Sequence, residues 1–258
     1  MLETILAHKR AEIEAARTAV SFRLLETRAQ SRGPVRSLAR ALGSREGPPH
    51  RIIAEIKRAS PSRGVLREDL EPGELAKGYV RAGAAGLSVL TDERFFHGSL
   101  AHLAQVRDLV AVPLLRKDFL LDPYQLYEAR AWGADAVLLI VRALDPGALA
   151  RLLACSRELG LEALVEVHDE RDLGRALDLG VRMVGINNRD LATLQVDLSV
   201  TERLMREMPP EVLTVSASGI RTPADLGRLE AAGVRAFLVG EALMTSPDPE
   251  RKLRELVW

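Results

Sequence analysis

Eight short apolar runs recur along this chain, each followed by a polar loop and then by a segment whose apolar residues return at helical spacing. The runs predict strands at Ile52–Lys57, Gly86–Leu90, Val112–Lys117, Ala136–Ile140, Glu162–Val167, Met183–Asn187, Leu213–Ser216 and Ala236–Val239. Gly83-Ala84, Gly133-Ala134, Gly180-Val181 and Gly233-Val234 stand just before several of them. Such glycines stop a helix and turn the chain back toward a sheet. Strands that are apolar along their whole length and alternate with helices imply a parallel sheet covered on both faces.

Eight parallel strands joined by right-handed crossovers close into an α/β, (β/α)8 barrel of the TIM type. The length of 258 residues suits one such unit. An open doubly wound sheet is the alternative; the absence of G-x-G-x-x-G after the first strand disfavours only its dinucleotide-binding forms. The organisation is therefore read as one barrel domain over residues 1–258, of which 1–45 form an N-terminal helical extension. Leu2, Ile5, Leu6, Ile13 and Ala16 follow helical spacing there, predicting an amphipathic helix packed on the barrel rather than a loose partner-binding arm. Arg45-Glu46-Gly47-Pro48-Pro49 reads as the connector.

Hydrophobic residues at 47% and charged residues at 28% fit a globular chain, and a net charge of zero supplies no surface for nucleic-acid phosphates. The single Cys155 can form neither an internal disulfide nor a thiolate zinc cluster, so it reads as a buried structural thiol in a reducing compartment. Met1-Leu2-Glu3-Thr4 resembles no secretory segment, and no apolar run approaches the roughly 20 residues of a membrane span. The expectation is a cytoplasmic protein with no membrane or nucleic-acid partner, a monomer being favoured over a dimer.

Only five of the 36 basic residues are lysine, and two of these, Lys57 and Lys117, end apolar runs. A lysine ammonium can give up a proton when desolvated, whereas arginine stays charged, so those positions suggest chemistry; the alternative is chance in an arginine-rich chain. The site of a barrel forms at the C-terminal strand ends. Those ends offer Glu55, Lys57, Lys117, Glu166, Asn187 and the stretch from Ser216 to Ser218. Glu55 and Lys57, two apart on one strand, face the same way, as a catalytic pair or as a structural ion pair. Glu166 and His168 repeat the spacing. Metal ligation there lacks further ligands, since His8, His50, His97 and His102 show no completing pattern, and an acid/base carboxylate bordered by valines is preferred.

Asn187 can orient a substrate hydroxyl and Arg189 can meet an anion, while Asn188 and Asp190 suit turn and cap duty. Ser218-Gly219-Ile220 after the seventh strand and Gly240-Glu241 after the eighth stand where such barrels bind phosphate on backbone N–H groups. Glu241 is electrostatically awkward there, so its side chain is expected to turn outward while its N–H binds.

Ile53-Ala54-Glu55-Ile56-Lys57-Arg58-Ala59-Ser60-Pro61-Ser62, Leu115-Arg116-Lys117-Asp118-Phe119, Leu164-Val165-Glu166-Val167-His168, Gly185-Ile186-Asn187-Asn188-Arg189-Asp190-Leu191 and Ser218-Gly219-Ile220 together resemble the indole-3-glycerol-phosphate synthase family, in order and spacing. The resemblance implies a (β/α)8 barrel that converts 1-(2-carboxyphenylamino)-1-deoxyribulose 5-phosphate into indole-3-glycerol phosphate, carbon dioxide and water, with no cofactor or metal. It also implies a phosphorylated small molecule as partner. By resemblance, Lys117 is the acid for ring closure, and Lys57 holds the substrate carboxylate and assists dehydration. Glu166 is an acid/base carboxylate and Glu55 its partner. Asn187 and Ser218 orient the substrate, and Arg189 stands near the site. Gly219, Gly240 and Glu241 hold phosphate through the backbone, with Ser60 beside them. Phe96, Phe119 and Leu138 wall the aromatic ring. The first loop, from Arg58 to Arg67, has the Ser, Pro and Gly content of a cover that closes over substrate.

One position departs from the family pattern: Ala217 stands where members usually carry Glu before the serine. A methyl group neither accepts protons nor anchors a lysine, yet activity is expected to survive on Lys57, Lys117 and Glu166. The competing readings are a related phosphate-binding barrel, such as a phosphoribosylanthranilate isomerase or a Schiff-base aldolase, and a non-catalytic phosphometabolite-binding barrel. An aldolase would be trapped on a lysine by borohydride, and Cys155 is misplaced for an isomerase.

Overall fold

A computed structural model describes residues 1–44, 46–190 and 193–258, so Arg45 of the expected connector and Leu191, the last residue of the motif that begins at Gly185, lie outside the described residues. Its centre is a closed barrel of eight parallel strands: Arg51–Ile56, Gly86–Leu90, Leu114–Lys117, Ala136–Ile140, Glu162–Val167, Met183–Asn187, Leu213–Ala217 and Ala236–Val239. They pair in chain order, and the last closes on the first through the register Ile53 with Leu238. The third strand begins at Leu114, later than its apolar run, because Pro113 has no N–H to give the ladder. Between strands the chain returns as helices. Gly83, at a φ of 103°, ends the helix Pro72–Ala82 in the left-handed conformation that its lack of a β-carbon permits, and its N–H caps the Tyr79 carbonyl.

Alternate strand residues divide into two apolar clusters. Ile53, Leu115, Leu138, Leu164, Val215 and Leu238 fill the barrel interior. Ile52, Val137, Val165, Ile186 and Phe237 face the helical layer. This explains why the runs are apolar along their length rather than alternating. Each buried Leu, Ile or Val contributes roughly 1.5–3 kcal/mol by leaving water. Cys155, in the helix Pro146–Glu158, is buried in this outer layer, and burial pushes its thiol up to about 11.

The N-terminal segment is three helices rather than one, Leu2–Ala19, Phe22–Gln30 and Leu38–Gly43. The first is tied to the mouth: Lys9, fully buried, places Nζ 2.9 Å from Asp118 and 3.0 Å from Asp92, two residues that follow the third and second strands. Burial disfavours its ammonium, but Asp118, Asp92 and Glu12 outweigh that penalty and hold the Lys9 pKa above the ordinary lysine value. The second helix packs on Pro123–Ala131, where the Tyr124 hydroxyl donates to the Ala16 and Val20 carbonyls. The third closes the floor. Leu38 and Leu42 join the interior cluster, Ser37 Oγ donates to Glu162 at 2.6 Å, and a β-carbon on Gly86 would lie 2.8 Å from Leu38. The extension thus clasps the barrel from mouth to floor. No helix among the described residues is long and apolar enough to cross a membrane.

Candidate active site

Because all eight strands run parallel, their C-terminal ends share one rim, and the residues there line a single cavity of about 1170 Å³ including its open mouth. Glu55, Lys57, Lys117, Glu166 and Asn187 all line it. The period of two decides which neighbour enters: Lys117 faces the mouth, whereas Arg116, one residue earlier, is buried on the outer face against Thr91, Gln125, Glu128 and Asp118.

Lys57 Nζ donates to Glu55 Oε1 at 2.6 Å. Burial alone would raise the Glu55 pKa, but the charges of Lys57, Lys117 and Arg189 and the Lys57 hydrogen bond reverse that effect and hold the carboxyl below its usual range. Glu55 is therefore an ionised acceptor. The Lys117 side chain, half-buried, makes no hydrogen bond or ion pair among the described residues, and its charge acts on Glu55 at longer range. Across the cavity Asn187 Nδ2 donates to Glu166 Oε1 at 3.1 Å, while Asn187 Oδ1 accepts from the Arg189 N–H. That backbone contact sets the amide orientation.

The rim after the seventh and eighth strands has the shape of an anion cradle. Ser218 and Gly219 are both left-handed, at φ 69° and 85°. For Ser218 this is a strained conformation of the kind that persists at functional sites. A β-carbon on Gly219 would meet Val196 at 2.5 Å, so only glycine fits there. Asn188, buried, donates to Ser216 Oγ and to the Ala217 and Ser218 carbonyls, which staples the sixth strand end to this turn. After the eighth strand, Gly240 leads into the short helix Glu241–Met244, whose first N–H groups have no intrahelical partner. The Glu241 side chain does not turn to solvent as expected. It accepts from Arg63, Arg189 and Arg221 at 3.2, 3.0 and 3.0 Å, since three guanidinium groups at the rim attract a carboxylate more strongly than hydration does. Burial works against ionisation of Glu241, and the arginines outweigh it, leaving its pKa lowered.

Ser60, Phe96, Phe119, Arg189, Ser218, Gly219, Gly240 and Glu241 line the cavity, with the Phe96 and Phe119 rings 6.2 Å apart. Leu138 does not. It is buried in the barrel interior, and Ile140, two residues further along the same face, takes the wall position. The first loop folds as a short hairpin, Ala59–Ser60 against Gly64–Val65, joined to the neighbouring end of the eighth strand through Arg63 and Glu241. Met1, Leu2 and Ile5 of the first helix, Leu90 and Leu238 also line the cavity, and the sequence reading had not included them. Leu90 and Leu238 are at strand ends and were within reach of the same period-two rule. The helix residues carried no local signal. Arg221 could have been noticed as a cation beside a glycine turn.

A family model described as indole-3-glycerol phosphate synthase matches residues 2–256. Curated proteins of that description are similar to the chain: one from Roseiflexus castenholzii is 50% identical over 264 residues, covering 99% of this chain and 97% of the relative. Another from Albidiferax ferrireducens is 50% identical over 258 residues with the same coverage, and one from Dehalococcoides mccartyi is 53% identical over 210 residues, covering 80% and 81%. Among solved structures, an N-acetylmannosamine-6-phosphate 2-epimerase from Clostridium perfringens superposes with a TM-score of 0.59 at 13% identity, covering 74% of this chain and 86% of that one, which is a likeness of fold alone.

Proposed function

The chain belongs to the indole-3-glycerol phosphate synthase family, and from that membership we propose how its residues divide the work of the family reaction. The enzyme closes the indole ring of 1-(2-carboxyphenylamino)-1-deoxyribulose 5-phosphate with loss of carbon dioxide and then of water. Ring closure forms a bond between the carboxyl-bearing aromatic carbon and the ribulose carbonyl carbon, while the carbonyl oxygen takes up a proton. Lys117 supplies that proton, its ammonium being unengaged and directed into the cavity. Carbon dioxide leaves with its bonding electrons returned to the ring. Dehydration then needs an acid for the departing hydroxyl and a base for the proton on the adjacent carbon.

Lys57 binds the substrate carboxylate before it departs and afterwards serves the hydroxyl. Glu55, ionised by its cationic neighbours, holds Lys57 and accepts protons. Glu166, oriented by Asn187, is the second proton-transfer group. Asn187 and Ser218 position the sugar chain. The Gly219, Gly240 and Glu241 N–H groups take the phosphate, with Ser60 and Arg189 at the same rim. Phe96, Phe119 and Ile140 receive the aromatic ring. The single observation that carries this scheme is that both lysine amines and the Glu166 carboxylate line one cavity whose rim bears the two glycine turns.

Every group in the scheme comes from one chain, which supports a working monomer acting on a phosphorylated small molecule, and a cytoplasmic setting follows from the biosynthetic role of the family; light scattering at assay concentration tests the subunit number. The direct test of the roles is to add the carboxyphenylamino substrate and follow indole fluorescence. Lys117→Ala is expected to lose at least about a hundredfold in kcat. An unchanged rate in that variant would remove Lys117 from the role.

A further inference from the structure

His168 follows the fifth strand two residues beyond Glu166, and its side chain is only 3% exposed. Neither ring nitrogen has a hydrogen-bond partner among the described residues. Two unpaired polar ring atoms in a buried position are costly and call for an explanation. Both face carboxylates. Nε2 is 3.8 Å from Oε1 of Glu166, and Nδ1 is 3.9 Å from Oδ2 of Asp172. Those gaps are about 1 Å beyond a hydrogen bond, so either bond forms only when the ring and its carboxylate move together.

The surroundings fix both ends of this line. Asp172, on the helix Glu170–Asp178, is held by Arg142 Nε at 2.9 Å and also accepts from the His168 backbone N–H at 3.3 Å. Arg142, from the turn Val141–Ala143, also binds Asp169 at 2.6 Å and reaches Asp190 at 3.7 Å. Glu166 Oε1, the same oxygen that faces His168, also accepts from Asn187 Nδ2 at 3.1 Å. The charged groups around the imidazole are thus Glu166 on its own strand, Asp169 and Asp172 after it, and the guanidinium of Arg142. Carboxylates outnumber the one cation around the ring.

We infer that His168 is a positioning residue for Glu166, sharing one proton with that carboxylate and kept in place by Asp172. The inference rests on the reading of Glu166 as an acid/base group. With its Nδ1–H donated to Asp172, the ring turns the Nε2 lone pair toward Glu166. A protonated Glu166 donates its O–H to that lone pair. Transfer along the same line breaks one O–H bond and forms one N–H bond, leaving a carboxylate beside an imidazolium whose charge Asp172 balances. Glu166 then alternates between acid and base inside the cavity without exchanging its proton with bulk solvent.

The test combines kinetics with a readout that does not depend on turnover. In His168→Asn, kcat is expected to fall about tenfold, KM to stay within about twofold, and one limb of the kcat–pH profile to move by about one unit, the equivalent of a tenfold change in proton affinity. In the Glu166→Gln background the same substitution should have no further effect on kcat. A wild-type pH profile in His168→Asn, or an independent tenfold loss in the double variant, overturns the inference. Side-chain NMR of the histidine gives the second arm: Glu166→Gln and Asp172→Asn should each move the His168 titration to lower pH, and an unmoved titration in both overturns it even if His168→Asn fails to fold. Full activity in Glu166→Gln alone would instead refute the role of Glu166, so the two failures are distinguishable.

Discussion

Gly240 presses its backbone against the Glu55 side chain so closely that a β-carbon at Gly240 would lie 3.0 Å from the Glu55 carboxyl carbon and 3.1 Å from its β-carbon. The eighth strand end therefore serves two purposes with one residue. It opens the turn proposed to take the phosphate, and it leaves room for the carboxylate that holds Lys57.

Gly240→Ala is accordingly expected to push Glu55 away from Lys57 and to lower kcat by about a hundredfold, the scale of loss for a misplacement of about 1 Å. Steady-state kinetics measures it, and a kcat within twofold of the parent would mean that the Glu55 position is not critical.

The buried Lys9 should be the costliest single charge to remove. Lys9→Met leaves Asp92 and Asp118 desolvated without their cation, and breaking such a pair costs about 3–5 kcal/mol. Urea unfolding of parent and variant reads this directly. A difference below about 1 kcal/mol, the usual value of an exposed pair, would show that the network does not anchor the first helix.

Acid stability has a definite sign. Burial would raise the Asp118 pKa, but Arg116, Lys9 and the Thr91 hydroxyl outweigh it and bring it from 3.8 to about 2. The folded state therefore holds this proton more weakly than the unfolded chain. The group contributes about 2 kcal/mol that is fully present above pH 4 and is lost as pH falls from roughly 4 to 2. Unfolding free energies measured between pH 5 and 2 should fall in that window, and Asp118→Asn should flatten the slope. Identical slopes would rule out Asp118 as the source.

Arg189 joins three parts of the rim, donating to Ser62 of the first loop, to the Leu194 carbonyl and to Glu241. Arg189→Ala should raise KM about tenfold, equivalent to about 1.4 kcal/mol of binding, and leave kcat within severalfold. If kcat rather than KM carried the loss, Arg189 would belong to the chemical step.

Ala217 lines the cavity at the end of the seventh strand, the position at which the family resemblance implies a Glu. Turnover should survive in the parent chain, because Lys57, Lys117 and Glu166 are all present, and Ala217→Glu should change kcat by less than about tenfold. Were parent turnover negligible and restored by that substitution, the missing carboxylate would be shown to be essential.

Much of this molecule was legible from the order of its residues. Fully apolar runs of five or six residues report strands buried on both faces, and the period of two sends Lys57 and Lys117 to the mouth without any knowledge of their neighbours. What local pattern does not carry is depth and distant partnership. Whether Leu138 or Ile140 walls the cavity depends on strand stagger around the closed ring, which no single strand encodes. Lys9 stands on the apolar face of the first helix, three or four residues from Ile5, Leu6 and Ile13, and only docking against Asp92 and Asp118, more than eighty residues away, supplies the partners that make it a fully buried cation. The same holds for Met1, Leu2 and Ile5 at the cavity, for Glu241 among its arginines, and for Glu55 against Gly240. Sequence determined the elements and the identity of the chemical groups, because periodicity is local. Tertiary structure decided which of those groups meet, because charges and shapes from far along the chain set each one's surroundings.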